Sequence, residues 1–187
     1  MVAAVRGAPQ AAAVSRQTHL ICSPAFGKTV ATLGGDYPMS PSDRIQALLD
    51  QKSRQVWSVS SDVTVYEAIA VMSAREVGAL PVVDGGKLVG MLSERDYARK
   101  VMLQGRSSRE TTVADIMSTN VLTITPTQTV EDGMMLMTDH RVRHLPVMSG
   151  GDLVGIVSIG DLVNWVISAH REEIHHLKSY ISAGYPA

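Results

Sequence analysis

The chain repeats itself. Displaced by 65 residues, Val56–Tyr97 aligns with Val121–Leu162 without a gap, and 15 of the 42 aligned positions are identical. An internal duplication restricts the fold to two copies of one supersecondary unit. A unit of roughly 40 to 60 residues buries too little surface to be stable alone, so the two copies must pack together as one module.

Each copy carries the same order of signals. Val56-Trp57-Ser58-Val59 and Val121-Leu122-Thr123-Ile124 are short β-rich runs. Thr64-Val65-Tyr66-Glu67 and Thr129-Val130-Glu131-Asp132 follow as capping boxes, in which hydroxyl and carboxylate satisfy free amides at a helix start. Helical spacing then sets Val65, Ile69 and Met72 on one face, with Val130, Met134 and Met137 as counterparts. Leu80–Val83 and Leu88–Leu92 flank Asp84-Gly85-Gly86, and Leu145–Met148 and Leu153–Val157 flank Ser149-Gly150-Gly151, the pattern of tight hairpins. A second helix is expected from about Ser93 and Ser158. The fold class is therefore α/β (α+β): two tandem β-α-β-β-α repeats packed as one pseudo-symmetric module. Ile45, Leu48 and Leu49 predict a short helix ahead of the first repeat. Gln104–Asn120 links the copies, with Arg106-Ser107-Ser108-Arg109 as a solvated loop. After Asp161, Trp165, Ile167, Ile174, Leu177 and Ile181 predict a long C-terminal amphipathic helix whose apolar stripe needs a partner surface. The boundaries drawn are 42–110 and 111–170 for the repeats and 171–187 for the helical extension.

Residues 1–38 differ in kind. From Met1 to Gly35 there is no Asp or Glu, while Arg6, Arg16 and Lys28 stand among Ala, Ser and Thr. That is the composition of an organellar transit peptide, which would make the protein mitochondrial. The alternatives are a disordered alanine-rich tail, or sequence upstream of a start at Met39, with a cytoplasmic location.

Several function classes are disfavoured. With 17 Lys+Arg against 18 Asp+Glu there is no basic surplus for nucleic-acid binding. Apolar runs such as Ala68–Met72 are far too short to span a membrane. The single cysteine, Cys22, allows neither an internal disulfide nor a Cys-based metal cage. His170, His175 and His176 complete no metal-binding set, and no Gly-rich phosphate loop, Ser-His-Asp set or paired catalytic carboxylates stand out. The reading is therefore a non-enzyme without a metal or required cofactor.

What remains is a doubled signature at the end of each hairpin, Gly90-x-x-Ser93-x-x-Asp96 and Gly155-x-x-Ser158-x-x-Asp161. Ser-x-x-Asp between strand and helix has two meanings. It is a capping box. It also sets a carboxylate able to accept two ribose hydroxyls beside a helix N-terminus suited to phosphate. Basic residues accompany both copies: Arg95, Arg99 and Lys100 around the first, Arg141, Arg143 and His144 before the Leu-Pro of the second. Arg95 and Arg143 are candidates for phosphate contact, with simple surface charge as the competing account.

Duplicated units, each with Leu-Pro-Val, a Gly-Gly hairpin and Gly-x-x-Ser-x-x-Asp, resemble a CBS-domain pair, also called a Bateman module, over roughly residues 42 to 170. Ser93-Glu94-Arg95-Asp96-Tyr97, Gly105-Arg106-Ser107-Ser108 and Ser158-Ile159-Gly160-Asp161 are similar to stand-alone CBS-pair proteins of bacteria and plant organelles. The resemblance implies binding of an adenosine ligand (AMP, ADP, ATP, S-adenosylmethionine or NADH) in clefts between the repeats. By the matching motif, Asp96 and Asp161 would hold ribose hydroxyls, and Ser93 and Ser158 ribose or phosphate. Ser58, Val59, Ala79 and Pro81 in one copy, and Thr123, Ile124, His144 and Pro146 in the other, would line the adenine pockets. The resemblance further implies a homodimer and a regulated partner protein, thioredoxin being one. The alternative is a structural dimerisation module with empty clefts.

Overall fold

Both Gly-Gly pairs turn the chain back on itself. In the computed structural model, which describes residues 40, 43–52 and 55–182, Gly85 and Gly86 take φ of +56° and +81°, and Gly150 and Gly151 take +60° and +95°. A two-residue loop with positive φ at both positions matches the twist of the strands it joins, and glycine enters that region without a Cβ penalty. The strands so joined are β1 (Ala79–Asp84) with β2 (Lys87–Ser93), and β3 (His144–Ser149) with β4 (Asp152–Ser158). Each pair is antiparallel, with a register irregularity at equivalent places, Val82/Val83 and Val147/Met148. The N-terminal extension 1–38 lies outside the described residues.

Among the described residues six α-helices accompany the hairpins: α1 (Ile45–Gln51), α2 (Val65–Arg75), α3 (Glu94–Lys100), α4 (Val113–Ile116), α5 (Val130–His140) and α6 (Ile159–Ser182). The helix starts at Val65 and Val130 form as the capping boxes predict. The Glu67 amide donates to Thr64 Oγ1 at 3.2 Å and the Glu67 carboxylate accepts the Thr64 amide at 2.9 Å. Thr129 and Asp132 repeat the arrangement at 3.0 and 2.9 Å. Behind these caps Val65, Ala68 and Met72 in α2, and Val130, Gly133 and Met137 in α5, are buried.

The two β-rich runs that open the repeats form less structure than their sequence predicts. Each makes a single parallel bridge, Val59 to Val82 and Ile124 to Val147, and no extended strand. The reason lies in Pro81 and Pro146. Their carbonyls accept from Val59 and Ile124 at 3.1 and 3.0 Å, but a proline has no N–H to continue the parallel ladder toward residues 57 and 122.

The copies exchange segments. Ile45 and Leu48 of α1, which precede the first repeat in the chain, lie in the second repeat's core with Ile124, Val130, Leu145, Leu162 and Trp165. Val113 and Ile116 of α4, which precede the second repeat, lie in the first repeat's core with Val65, Met72, Leu80 and Leu92. Each visitor docks by the same pair of hydrogen bonds. The Ile45 amide donates to Gln128 O at 2.8 Å and the Val130 amide to Asp43 O at 2.9 Å; the Val65 amide donates to Thr111 O and the Val113 amide to Val63 O, both at 2.9 Å. Trp165 fixes the entry of α1 through its indole N–H, 3.2 Å from Ser40 O and 3.1 Å from Asp43 Oδ2. The Arg106–Arg109 run is largely exposed, as expected of a linker loop, whereas α4 inside the same linker was not signalled, because four residues are too few to show a helical period.

Candidate functional site

Each Ser-x-x-Asp signature sits where a hairpin's second strand becomes a helix, and both form capping boxes. Ser93 Oγ donates to Asp96 Oδ2 at 2.5 Å, and that oxygen also accepts the Ser93 amide at 3.1 Å while Ser93 Oγ accepts the Asp96 amide at 3.3 Å. At Ser158 and Asp161 the corresponding distances are 2.8, 2.7 and 3.2 Å. The amides of Glu94 and Ile159 are taken as well, by the carbonyls of Gly78 and Arg143 at 3.1 and 2.9 Å. Three amides at each helix start are thus already satisfied by the protein, which reduces what these starts offer a phosphate compared with the expectation from sequence.

These boxes differ from the one that caps α4 in where the carboxylate lies. Thr112 and Asp115 cap α4 with Asp115 47% exposed. Asp96 and Asp161 make the same cap with side chains only 16% and 25% exposed, and each carries its own cation. Lys100, one helical turn on, lies 2.9 Å from Asp96 Oδ1 and donates to Ile116 O at 2.6 Å. Lys52, at the end of α1, lies 2.7 Å from Asp161 Oδ2 and 3.3 Å from Ile156 O. Burial pushes the Asp161 carboxyl up, but Lys52 and the Ser158 amide and hydroxyl outweigh it and hold the group below the ordinary carboxylate value.

The backbone brings the remaining candidates to these carboxylates. Ala79 is the ladder partner of Ser93, and His144 of Ser158. Val59 and Ile124 are tied to Pro81 and Pro146, as described above, so each repeat gathers its own set in one sheet. Val59, Ala79, Pro81, Ile124 and Pro146 are buried, Ser58 and His144 partly so, and Thr123 is exposed.

Arg95, His144 and Glu94 lie at the seam between the copies. Arg95 Nη1 donates to the Arg141 carbonyl of the other repeat at 3.1 Å. A methyl group at Gly78 would meet Glu94 Oε2 at 3.4 Å and His144 Cε1 at 3.7 Å, so side chains from both repeats converge there. Burial pushes His144 below the ordinary histidine value; Asp161 and Glu94 oppose that shift, and Lys52 and Arg143 add to it. Arg143 is exposed.

Lys52 is the residue that sequence reading missed. It falls outside the duplicated segment, so aligning the copies gives it no counterpart. Beside it a cleft of about 200 Å³ is lined by Leu48, Gln51, Lys52, Asp161, Asn164, Trp165 and Ser168. No cluster of three or more metal-ligating side chains occurs among the described residues. The side chains of His170, His175 and His176 lie outside them. No helix among the described residues is long and apolar enough to cross a membrane.

Comparison with known proteins bears on this arrangement. A family model described as CBS domain matches the chain twice, over residues 52–103 and 113–168. A curated relative, "CBS domain-containing protein CBSX3, mitochondrial" of Arabidopsis thaliana, is 47% identical over 135 residues, 70% of this chain and 65% of the relative. The match therefore spans less than two thirds of that relative's own length. Among solved structures, a protein with CBS domains from Burkholderia ambifaria MC40-6 superposes with a TM-score of 0.66 at 47% identity, covering 67% of this chain and 94% of that one. The CBS domain pair of protein MJ0100, in complex with 5′-methylthioadenosine and S-adenosyl-L-methionine, superposes with a TM-score of 0.59 at 26% identity, covering 66% of this chain and 95% of that one.

Proposed function

The chain belongs to the CBS domain family and carries the domain twice in tandem, and from that premise we propose that it is a non-catalytic regulatory module that binds an adenosine ligand between its repeats and signals occupancy to a partner protein. One observation carries the reading. Capping does not require a shielded carboxylate, as the 47% exposed Asp115 demonstrates, yet Asp96 and Asp161 are both partly buried beside the hairpins with a lysine at 2.9 and 2.7 Å, where Asp115 has Arg106 only at 3.8 Å. A shielded carboxylate at a strand-to-helix junction suits a pair of ribose hydroxyls, because hydrogen bonds to a charged acceptor gain strength away from water. The adenosine compounds bound by the MJ0100 pair support the same ligand class.

A ligand acts as a signal here only by binding one arrangement of the two repeats better than another. Arg95 on the Arg141 carbonyl, and Glu94 and His144 meeting at Gly78, are the contacts such a rearrangement would alter.

Isothermal titration of the full chain with AMP, ADP, ATP, S-adenosylmethionine and NADH tests the proposal. Each aspartate contact contributes roughly 1.5 to 3 kcal/mol, about ten- to hundredfold in affinity, so Asp96→Ala with Asp161→Ala should abolish measurable binding. Unchanged binding in the double variant would refute the site. The bound ligand must also raise Tm, since it stabilises only the folded state.

A second reading, self-association as a homodimer, is favoured by a groove of about 580 Å³ between α5 and α6, floored by Met134, Met135 and Val166. Met135, Val163 and Ile167 nearby are exposed. Sedimentation of the chain with and without ligand distinguishes a ligand-independent structural dimer from a sensor. The composition of residues 1–38 and the mitochondrial relative support a mitochondrial location, checked by import of a reporter fused to those residues. Thioredoxin as partner follows only from the family likeness, and co-purification with and without nucleotide tests it.

A further inference from the structure

We propose that Lys52 makes the second cleft selective for adenosine ligands with an anionic 5′ group over neutral or cationic ones, an inference that rests on the ligand-binding reading above. The two clefts hold their aspartates differently. At the first, Lys100 comes from the same helix as Asp96 and is seated on Ile116 O at 2.6 Å, so a backbone carbonyl still anchors its ammonium if the carboxylate is engaged elsewhere. At the second, Lys52 arrives from α1, 109 residues away in the chain, and its bond to Ile156 O is 3.3 Å, so the ammonium depends chiefly on Asp161 Oδ2 at 2.7 Å.

A ribose that takes the Asp161 carboxylate with its hydroxyls competes with Lys52. The Lys52 side chain, 38% exposed while paired, then loses much of its compensating charge. Lys52 and Arg143, two like charges, both act on His144 with Glu94 from across the seam, while burial keeps His144 toward its neutral form. A ligand that brings a phosphate restores a counter-charge to Lys52, because a charge-assisted hydrogen bond replaces the one lost. A ligand with a neutral thioether leaves the cation unpaired. A sulfonium adds repulsion at a distance well inside the screening length. The cleft beside Lys52 has room for the charged tail and offers Gln51, Asn164 and Ser168 as polar neighbours.

The test uses the full chain with Asp96→Ala, which silences the first cleft, titrated with AMP, 5′-methylthioadenosine and S-adenosylmethionine. With Lys52 present AMP should bind tightest and S-adenosylmethionine weakest. Lys52→Met should weaken AMP about tenfold or more and leave the other two unchanged or tighter, so the order collapses. Lys52→Arg, which keeps the charge, should retain the order and separates charge from packing. An order that persists in Lys52→Met, or equal binding of all three to the Lys52 chain, overturns the assignment while leaving the site reading intact. Binding that survives Asp161→Ala in this background, or no binding at all, overturns both.

Discussion

A methyl group added at Gly155 would stand 2.7 Å from Leu49 Cδ2, and one at Gly90 would stand 2.6 Å from Met117 Sδ. The glycine that opens each signature is therefore there for the visiting segment, which lies against the strand where a side chain would otherwise be. Gly155→Ala should displace the Leu49 side chain at a cost of about 1 kcal/mol, the low end of overpacking, read as a lowered Tm, and adding Leu49→Ala should recover part of it. An unchanged Tm would refute the contact. His144 gives a second test at this scale. Its folded value lies below the ordinary 6.5, so the neutral form is favoured by folding; the stability this confers is complete above pH 6.5 and is lost as pH falls toward the folded value. Urea midpoints of the chain should decline below pH 6.5 more steeply than those of His144→Gln. The motif residues Ser93, Asp96, Ser158 and Asp161 were legible in the sequence because they occur twice at one spacing. Lys52 was not, because its importance comes from a contact 109 residues away and nothing in its neighbourhood repeats.

The elements divide by the length of their signal. Hairpins and the capped helices α2 and α5 follow directly from Gly-Gly pairs and Thr-x-x-Glu/Asp boxes, whose chemistry is local. The opening β-runs shrink to one bridge each because the decisive residue, a proline without an N–H, belongs to the neighbouring strand. For α4 and α1 the short apolar pattern shows that something is buried but not in which repeat. Ile45→Ala should cost about 2 to 5 kcal/mol, since Ile45 is fully buried. Its effect should fall on the wrong half of the chain as sequence order has it. Amide exchange should quicken at Ile124 and Met148, in the repeat that α1 enters, before it quickens at Val59 and Val83. The reverse order would contradict the exchange.

Across the whole molecule, the duplication predicts two copies that need one another, and the structure gives the means: the second copy's core is completed by α1 from beyond the first copy, and the first copy's core by α4 from the linker that leads into the second. Unfolding should therefore be a single transition, with fluorescence of Trp165 and circular dichroism coincident in urea; separate midpoints would argue for independent repeats. A fragment beginning at residue 111 lacks Ile45 and Leu48 and should not fold alone, whereas mixing it with residues 1–110 should restore the native spectrum. The exchange also sets a schedule on the ribosome, where the chain emerges from its N-terminus. The first core can close once synthesis has passed Met117, which packs against it, and until then Val65 and Leu80 wait for α4. The helix made earliest, α1, waits longest: its apolar face has no home until Trp165 has emerged. Throughout the interval between those two moments the apolar face of α1 stays open to water beside a first core already closed.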